Sequence, residues 1–218
     1  MMSDTFNRIA LSRIVPIVEI DNAADAAPVA QTLLEAGLTV VEVVARTSQA
    51  FAAVESIAAN VGDITVGAGT LLSPAMVDRA IDSGAAFGVA PGIGLAADRA
   101  ISRKFPFVPG AVTPTEVTAA LDVGLRHVKF FPASNFGGPA ALKALCGPFN
   151  AADVRFMPTG GIKPHDAPAY LEIAAVFAVG GTWIAPRADI AAHRWDVIGK
   201  RARTAAALVT NSMSQAQS

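Results

Sequence analysis

A lysine interrupts the apolar segment HVKFFPA at residues 127–133. Lys129 follows Val128 and precedes Phe130 and Phe131, in a run typical of a strand that is buried on both faces. An ammonium group is costly in such surroundings unless it is paired, and burial favours the neutral amine. Because a neutral amine is a nucleophile that forms Schiff bases with carbonyl compounds, the segment indicates covalent chemistry. The alternative is a strand lysine whose stem is buried and whose ammonium reaches water.

A glutamate and an arginine lie in and just after a second apolar segment, TVVEVVA at residues 39–45. Glu42 lies inside this segment, and a carboxyl group near a Schiff-base lysine can transfer protons. The alternative for Glu42 is a structural ion pair with Lys129 or Arg46. Arg46 follows four residues later on the same strand face, about 13 Å away in an extended chain. A guanidinium there can bind a ligand carboxylate through two hydrogen bonds, unless it is simply a solvated loop residue.

The elements that must position these side chains follow one repeating pattern. Short apolar segments alternate with Gly/Pro/Ser/Thr turns and Ala-rich amphipathic stretches, which indicates β-strand and α-helix units. Eight such units predict a single-domain α/β (β/α)8 TIM barrel over residues 1–218 with an N-terminal helix. An open doubly wound sheet is the alternative, but no GxGxxG motif occurs. The predicted strands are 14–20, 39–45, 64–70, 87–92, 105–112, 127–133, 155–161 and 175–183.

The predicted strand ends carry the remaining candidate site residues. In a (β/α)8 barrel the active site lies at the carboxyl ends of the strands, and phosphate is often bound after strands seven and eight. The glycine turns PTGGIKP (158–164) and VGGTW (179–183) fall there, so their backbone N–H groups are candidates for phosphate binding. The candidates at strand ends are Thr70, Pro91, Thr159, Gly160, Gly161, Gly181 and Thr182.

Composition excludes several classes of partner. The chain of 218 residues is 52% hydrophobic, which supports a large core. Its 17 basic and 18 acidic residues give a net charge of −1, so neither nucleic acid nor an anionic membrane is expected to bind. The single cysteine, Cys146, excludes an internal disulfide and fits a reducing compartment.

The sequence also gives no sign of export or of a bound metal. The first residues lack the basic start and apolar run of a signal peptide, and no apolar segment approaches the ~20 residues of a membrane span. A cytoplasmic protein is therefore predicted. His127, His165 and His193 are scattered, without the spacing of metal ligands, so neither a metal nor another cofactor is expected.

These residues, in this order, resemble the class I aldolases of the 2-keto-3-deoxy-6-phosphogluconate (KDPG) and 4-hydroxy-2-oxoglutarate (KHG) aldolase family. The motifs that carry the resemblance are VEVVART, VGAGT, APG, KFFPAS and PTGGI. It implies a (β/α)8 barrel that reversibly cleaves a 2-keto-3-deoxy sugar acid phosphate into pyruvate and glyceraldehyde 3-phosphate. It also implies a homotrimer, since the family is typically trimeric.

The resemblance assigns a role to each candidate residue. Lys129 would be the Schiff-base lysine and Glu42 the general acid/base. Arg46 and Thr70 would hold the pyruvate carboxylate, Phe131 would lie beside the imine, and Pro91 and Thr159 would contact substrate. Gly160, Gly161 and the Gly181–Thr182 turn would bind the phosphate.

Three positions depart from the family pattern and leave the substrate open. Val44 replaces a threonine, Ala90 replaces a serine, and Thr182 replaces a serine but keeps its hydroxyl. KHG and the galactonate epimer of KDPG are therefore alternative substrates. A phosphosugar isomerase or epimerase, and a non-catalytic phosphate-binding barrel, are more remote alternatives, against which the Glu42, Arg46 and Lys129 set argues.

Overall fold

The structure is a computed structural model that describes residues 2–215. Parallel strands alternate with helices along the chain, and a helix precedes the first strand, as the sequence predicts. The strands are β1 Ile14–Val18, β2 Val40–Val44, β3 Thr65–Gly69, β4 Phe87–Val89, β5 Phe107–Val108, β6 Gly110–Ala111, β7 His127–Phe130, β8 Arg155–Pro158 and β9 Val179–Gly181.

Helices pack around these strands. They are α1 Met2–Ser12, α2 Ala26–Glu35, α3 Ala50–Asn60, α4 Pro74–Asp82, α5 Leu95–Ser102, α6 Pro114–Asp122, α7 Gly138–Cys146, α8 Ala167–Leu171, α9 Arg187–Ala191 and α10 Trp195–Gln215, with 3-10 turns at Ala23–Asp25 and Gly147–Ala152. Within the described residues, no helix is both long enough and apolar enough to cross a membrane.

The strands form two parallel sheets instead of the one continuous eight-stranded sheet predicted. One sheet has the order β5-β4-β3-β2-β1-β9, and the other has the order β6-β7-β8. The predicted strand at residues 105–112 is divided at Pro109, since proline has no N–H for the strand ladder. The α/β class and the parallel pairing are therefore confirmed, and the predicted fifth strand is interrupted at Pro109.

Local sequence signals set the helix starts. Ser73 accepts a hydrogen bond from the Met76 backbone N–H, with Pro74 in the first turn of α4. Thr113 and Glu116 form a capping box at the start of α6. The backbone N–H of Val112, followed by the hydroxyl and N–H of Thr113, keeps the pKa of the Glu116 carboxyl below its usual value. Each cap fixes where a loop at the carboxyl end of a strand passes into a helix.

The interior between the sheets is filled at its amino-terminal end. A small apolar cluster there joins Ile9 of α1 to Val15, Val40, Met157 and Phe177 from strands and strand entries of both sheets. Ile9 is completely buried, so α1 covers this end of the molecule. The carboxyl ends of the strands are thus the end at which a cavity can open.

Candidate active site

Lys129 points into the interior because of the two-residue period of β7. Its neighbours Val128 and Phe130 pack in the outer core between the strands and the helices, so the side chain between them faces the other way. The Lys129 Nζ lies 3.5 Å from Oε1 of Glu42, and the lysine side chain is only 7% exposed. The structure therefore places the lysine in the interior, next to Glu42.

Glu42 reaches Lys129 from the other sheet. Val41 and Val43 of β2 pack in the outer core, which turns Glu42 inward, and its side chain is completely buried. Its second carboxylate oxygen, Oε2, has no hydrogen-bond partner within the described part of the chain. An incompletely satisfied buried charge pair contributes little to stability and is costly to desolvate. Stability alone therefore does not account for this pair.

The aromatic ring predicted beside the lysine is in place. The Nζ of Lys129 lies 5.1 Å from the centroid of the Phe131 ring. Gly160 packs against that ring, and a Cβ at Gly160 would lie 2.9 Å from Cδ2 of Phe131. Gly160 also has a φ of +97°, a conformation that favours glycine. The TGG turn therefore needs glycine here both for its backbone and for contact with the ring.

A cavity of about 600 Å³ opens at the carboxyl ends of β1, β2, β7, β8 and β9. Lys129 forms part of its wall, so the amine is accessible from the cavity although it is buried from bulk solvent. Seven of the candidate residues from the sequence line it: Arg46, Lys129, Phe131, Thr159, Gly160, Gly161 and Thr182.

Four candidates are not part of the cavity wall. Glu42 lies behind Lys129, as described. A Cβ at Gly181 would lie 2.0 Å from the Trp183 ring, and the preceding Gly180 lines the cavity instead. The Pro91 carbonyl packs against Gly110, where a Cβ would lie 2.0 Å from its oxygen. The substrate contacts proposed for Pro91 and Gly181 therefore stay predictions.

The fourth candidate outside the wall, Thr70, has an unusual backbone. It directly follows β3, and its φ is +61°. A left-handed conformation is strained for a β-branched residue and occurs often at functional sites. This strain supports a functional role for Thr70, although its side chain does not line the cavity in this structure.

Charged residues that sequence reasoning missed lie at the cavity mouth. Glu19 and Arg187 both line the cavity, and Oε1 of Glu19 accepts a 2.6 Å hydrogen bond from Nη1 of Arg187. Oε2 of the same carboxylate lies 4.0 Å from Nη1 of Arg46. Asp21 accepts two hydrogen bonds from Arg187, at 2.7 Å from Nε and 2.6 Å from Nη2.

The ion pairs at the mouth affect the protonation of both partners. The hydrogen bond and charge of Arg187 lower the pKa of Asp21, and the hydrogen bond and charge of Asp21 raise the pKa of Arg187. The sequence did contain a signal for these residues. Glu19 and Asp21 lie at the carboxyl end of the first strand and Arg187 lies just beyond the eighth predicted strand, which is the end where barrel sites occur.

The histidines lie away from this cavity. His127 stacks on Phe6 with ring centroids 3.8 Å apart, at the amino-terminal end of β7. His193 lies 2.9 Å from Asp25 at the surface. Among the residues that the structure describes, no group of three or more His, Cys, Asp or Glu side chains is arranged to hold a metal ion.

The fold and the site together define an α/β enzyme with a buried lysine at the base of an open cavity. A family model for KDPG and KHG aldolases matches residues 6–201. The chain therefore belongs to the KDPG and KHG aldolase family, and it is an aldolase.

Individual members of the family are similar along most of their length. The 2-dehydro-3-deoxy-phosphogluconate aldolase of Zymomonas mobilis is 42% identical over 85% of this chain and 88% of its own. A crystal structure of the Zymomonas mobilis KDPG aldolase with 3-phosphoglycerate has a TM-score of 0.87 and 38% identity, covering 95% of this chain and 97% of that one. The Legionella pneumophila KDPG aldolase, with pyruvate captured as a covalent carbinolamine, has a TM-score of 0.87 and 34% identity, covering 92% and 97%.

Proposed function

We propose that this protein reversibly cleaves KDPG into pyruvate and glyceraldehyde 3-phosphate, through a Schiff base on Lys129. The observation that carries the proposal is the Lys129 amine, which lines the cavity and lies 3.5 Å from a fully buried Glu42 carboxylate. The pyruvate carbinolamine in the Legionella relative supports the same covalent chemistry.

The reaction starts when the neutral Lys129 amine attacks the C2 ketone of the substrate. An acid protonates the carbinolamine hydroxyl, and loss of water then gives a protonated imine. A base takes the proton of the C4 hydroxyl, the C3–C4 bond breaks, and its electron pair moves into the imine to form an enamine. Glyceraldehyde 3-phosphate leaves, C3 is protonated, and hydrolysis of the imine frees pyruvate and the lysine.

Glu42 carries the protons in this scheme. Its Oε1 faces the lysine Nζ, which allows proton exchange as the carbinolamine forms and loses water. The unpartnered Oε2 is the second acceptor of the same carboxylate, and it can relay the C4 hydroxyl proton through a water. Phe131 lies against the lysine amine and limits the positions that the imine can occupy.

Different sets of residues bind the two ends of the substrate. Arg46 and Thr70 hold the carboxylate next to the reacting ketone, and Pro91 and Thr159 contact the carbon chain. Gly160, Gly161, Gly181 and Thr182 bind the phosphate through backbone N–H groups and the threonine hydroxyl. The 3-phosphoglycerate in the Zymomonas structure, a molecule with one carboxylate and one phosphate, supports a site for two anionic ends.

The chain forms one domain in which the two sheets close into a single (β/α)8 barrel. On one side, the segment 107–111 runs from β5 into β6 across Pro109, and the Lys129 N–H donates to the Pro109 carbonyl at 2.8 Å. On the other side, isolated parallel bridges join Phe156 to Val176 and Thr159 to Gly180. The family resemblance supports a homotrimer of such barrels.

Trapping with borohydride tests the covalent step. Pyruvate and borohydride are expected to leave one pyruvate-derived adduct, which peptide mass mapping places on Lys129. An adduct on another lysine, or no adduct on protein that cleaves KDPG, would overturn the mechanism. Assays of KDPG, its galactonate epimer and KHG side by side then decide the substrate, and an equal or higher kcat/KM for KHG would favour that alternative.

A further inference from the structure

The cavity mouth contains an arginine whose orientation is fixed by two carboxylates. The Arg187 guanidinium donates to both oxygens of Asp21 along its Nε–Nη2 edge and to Glu19 through Nη1. A guanidinium has five N–H donors. Three of them make these bonds, which leaves one N–H on each terminal nitrogen to bind a ligand.

The charge of Arg187 is not explained by the helix that it begins. Arg187 is the first residue of α9, where the helix dipole disfavours a cation. Arg187 and Asp21 are also substantially solvent-exposed and Glu19 is partly exposed, and exposed ion pairs contribute little to stability. Neither the local helix nor a contribution to stability therefore explains why an arginine is held by two carboxylates at this position.

The location of Arg187 indicates what it contacts. It shares the cavity wall with Gly161 and Thr182, which belong to the two turns proposed to bind the phosphate. Arg46, at the proposed carboxylate end, is separated from Arg187 only by Glu19, whose two oxygens face one arginine each. Oε1 of Glu19 thus occupies the place beside Nη1 of Arg187 that an oxygen of an anionic ligand would otherwise take.

We infer that Arg187 is a specificity-determining residue that binds the phosphate monoester at the far end of the substrate, with Glu19 as the counterion that the phosphate displaces. Asp21 holds the guanidinium in place during this exchange, since its two hydrogen bonds do not involve Nη1. A phosphate dianion attracts the guanidinium more strongly than a single carboxylate does, and a neutral hydroxyl gains little. The inference rests on the proposed function, because it extends the phosphate site of the same cavity.

The test compares KDPG with its unphosphorylated analogue in the wild type and in Arg187→Gln. We expect kcat/KM for KDPG to fall at least about tenfold, mainly through KM, and kcat/KM for the unphosphorylated acid to change less than about twofold. Arg187→Lys keeps the positive charge but lacks the planar guanidinium that forms two parallel hydrogen bonds. It should therefore lose less kcat/KM for KDPG than Arg187→Gln does. Arg155→Gln is the matched control, since Arg155 is similarly exposed (46% against 54%) and paired with Asp153, yet lies at the amino-terminal start of β8.

Competition by inorganic phosphate gives a second readout. We expect Glu19→Gln to bind inorganic phosphate more tightly than the wild type, because the competing carboxylate is gone, and Arg187→Gln to bind it more weakly. Equal losses for both substrates in Arg187→Gln, or no loss for KDPG, would overturn the inference. The proposed function fails separately, if the wild type itself neither cleaves KDPG nor forms the pyruvate adduct on Lys129.

Discussion

Gly69 lies directly against the Glu42 carboxylate, and a Cβ built on this glycine would lie 2.0 Å from Oε1 of Glu42. Because Gly69 of β3 has no side chain, there is space for the carboxylate of Glu42 on the neighbouring strand β2. Gly67 lies two residues earlier on the same face of β3 and similarly leaves space for the Phe87 ring. A Cβ at Gly67 would lie 2.3 Å from Cζ of Phe87. The VGAG motif thus shapes the interior so that Glu42 can reach Lys129.

Gly69→Ala is expected to displace the Glu42 carboxylate from Lys129. The extra methyl group has no space, so we expect a loss of about 1–3 kcal/mol in the free energy of unfolding. We also expect kcat to fall by at least about tenfold, because the acid no longer faces the amine. Urea unfolding and steady-state kinetics measure the two effects. Gly62→Ala is the control, since nothing lies within 4 Å of a Cβ there, and wild-type kcat in Gly69→Ala would contradict the prediction.

Glu42→Gln separates proton transfer from imine formation. The amide keeps the shape of the side chain but cannot act as a general base. We expect the variant to be trapped on Lys129 by pyruvate and borohydride and to lose about 10²–10⁴ in kcat. An unchanged kcat in folded Glu42→Gln would remove Glu42 from the mechanism.

The Lys129–Glu42 pair should show strong thermodynamic coupling. Lys129→Met leaves a fully buried carboxylate without its cation, and Glu42→Leu leaves the amine without its anion. Each single variant is expected to be about 3–5 kcal/mol less stable than the wild type, because its remaining charge is buried without a partner. The double variant should recover most of this loss, since both charges are gone. Unfolding free energies of the four proteins give the coupling, and simple additivity would show that the two side chains do not interact.

Gly161 tests the phosphate turn against a matched glycine. Gly161 has a φ of +74° and Gly124 a φ of +83°, so alanine strains the backbone at both positions. A Cβ at Gly161 would lie 2.9 Å from the Ser134 Cβ in the turn beside the cavity, whereas nothing lies within 4 Å at Gly124. We expect wild-type protein to prefer KDPG to the unphosphorylated acid by at least about tenfold in kcat/KM. That preference should shrink in Gly161→Ala and persist in Gly124→Ala. No preference in the wild type would mean that the turn glycines are structural, and would favour KHG.

His127 predicts a dependence of stability on pH. Burial, reinforced by the charge of Arg155 and opposed by that of Asp153, lowers the pKa of His127 from 6.5 to about 4. The unfolded chain therefore binds more protons between these two values. The neutral, buried His127 therefore makes its full contribution to the free energy of unfolding above pH 6.5. That contribution is lost as the pH falls towards 4, by up to about 3 kcal/mol.

The measurement is urea unfolding at pH 7 and pH 4.5. His127→Phe keeps a ring between Phe6 and Phe177, with which His127 makes contact at centroid distances of 3.8 and 5.0 Å. We expect this variant to lose less stability than the wild type as the pH falls. His165→Gln is the control, because the His165 side chain is 76% exposed. Equal losses in the wild type and His127→Phe would show that His127 does not contribute.

The sequence by itself determined the class of fold and the reactive group. Apolar segments separated by Gly and Pro predict buried parallel strands, because such strands are covered on both faces. The alternation of Val128, Lys129 and Phe130 then requires the lysine to point away from the helices. These are local properties of a strand, so the amino-acid sequence alone was sufficient to predict them. Pro109 was a local signal as well, and its missing N–H explains why the predicted fifth strand became β5 and β6.

Only the tertiary structure decided which side chains meet. Glu42 and Lys129 are 87 residues apart and lie in different sheets, and Glu19 and Arg187 are 168 residues apart. The residue types and spacing within one strand do not predict which side chains come into contact across the interior. Those contacts depend on the register and tilt of every strand between the two partners. The tertiary structure also decided which glycine of the VGGTW turn lines the cavity: Gly180 does, and Gly181 packs against the Trp183 ring, because successive residues of a strand point to opposite faces.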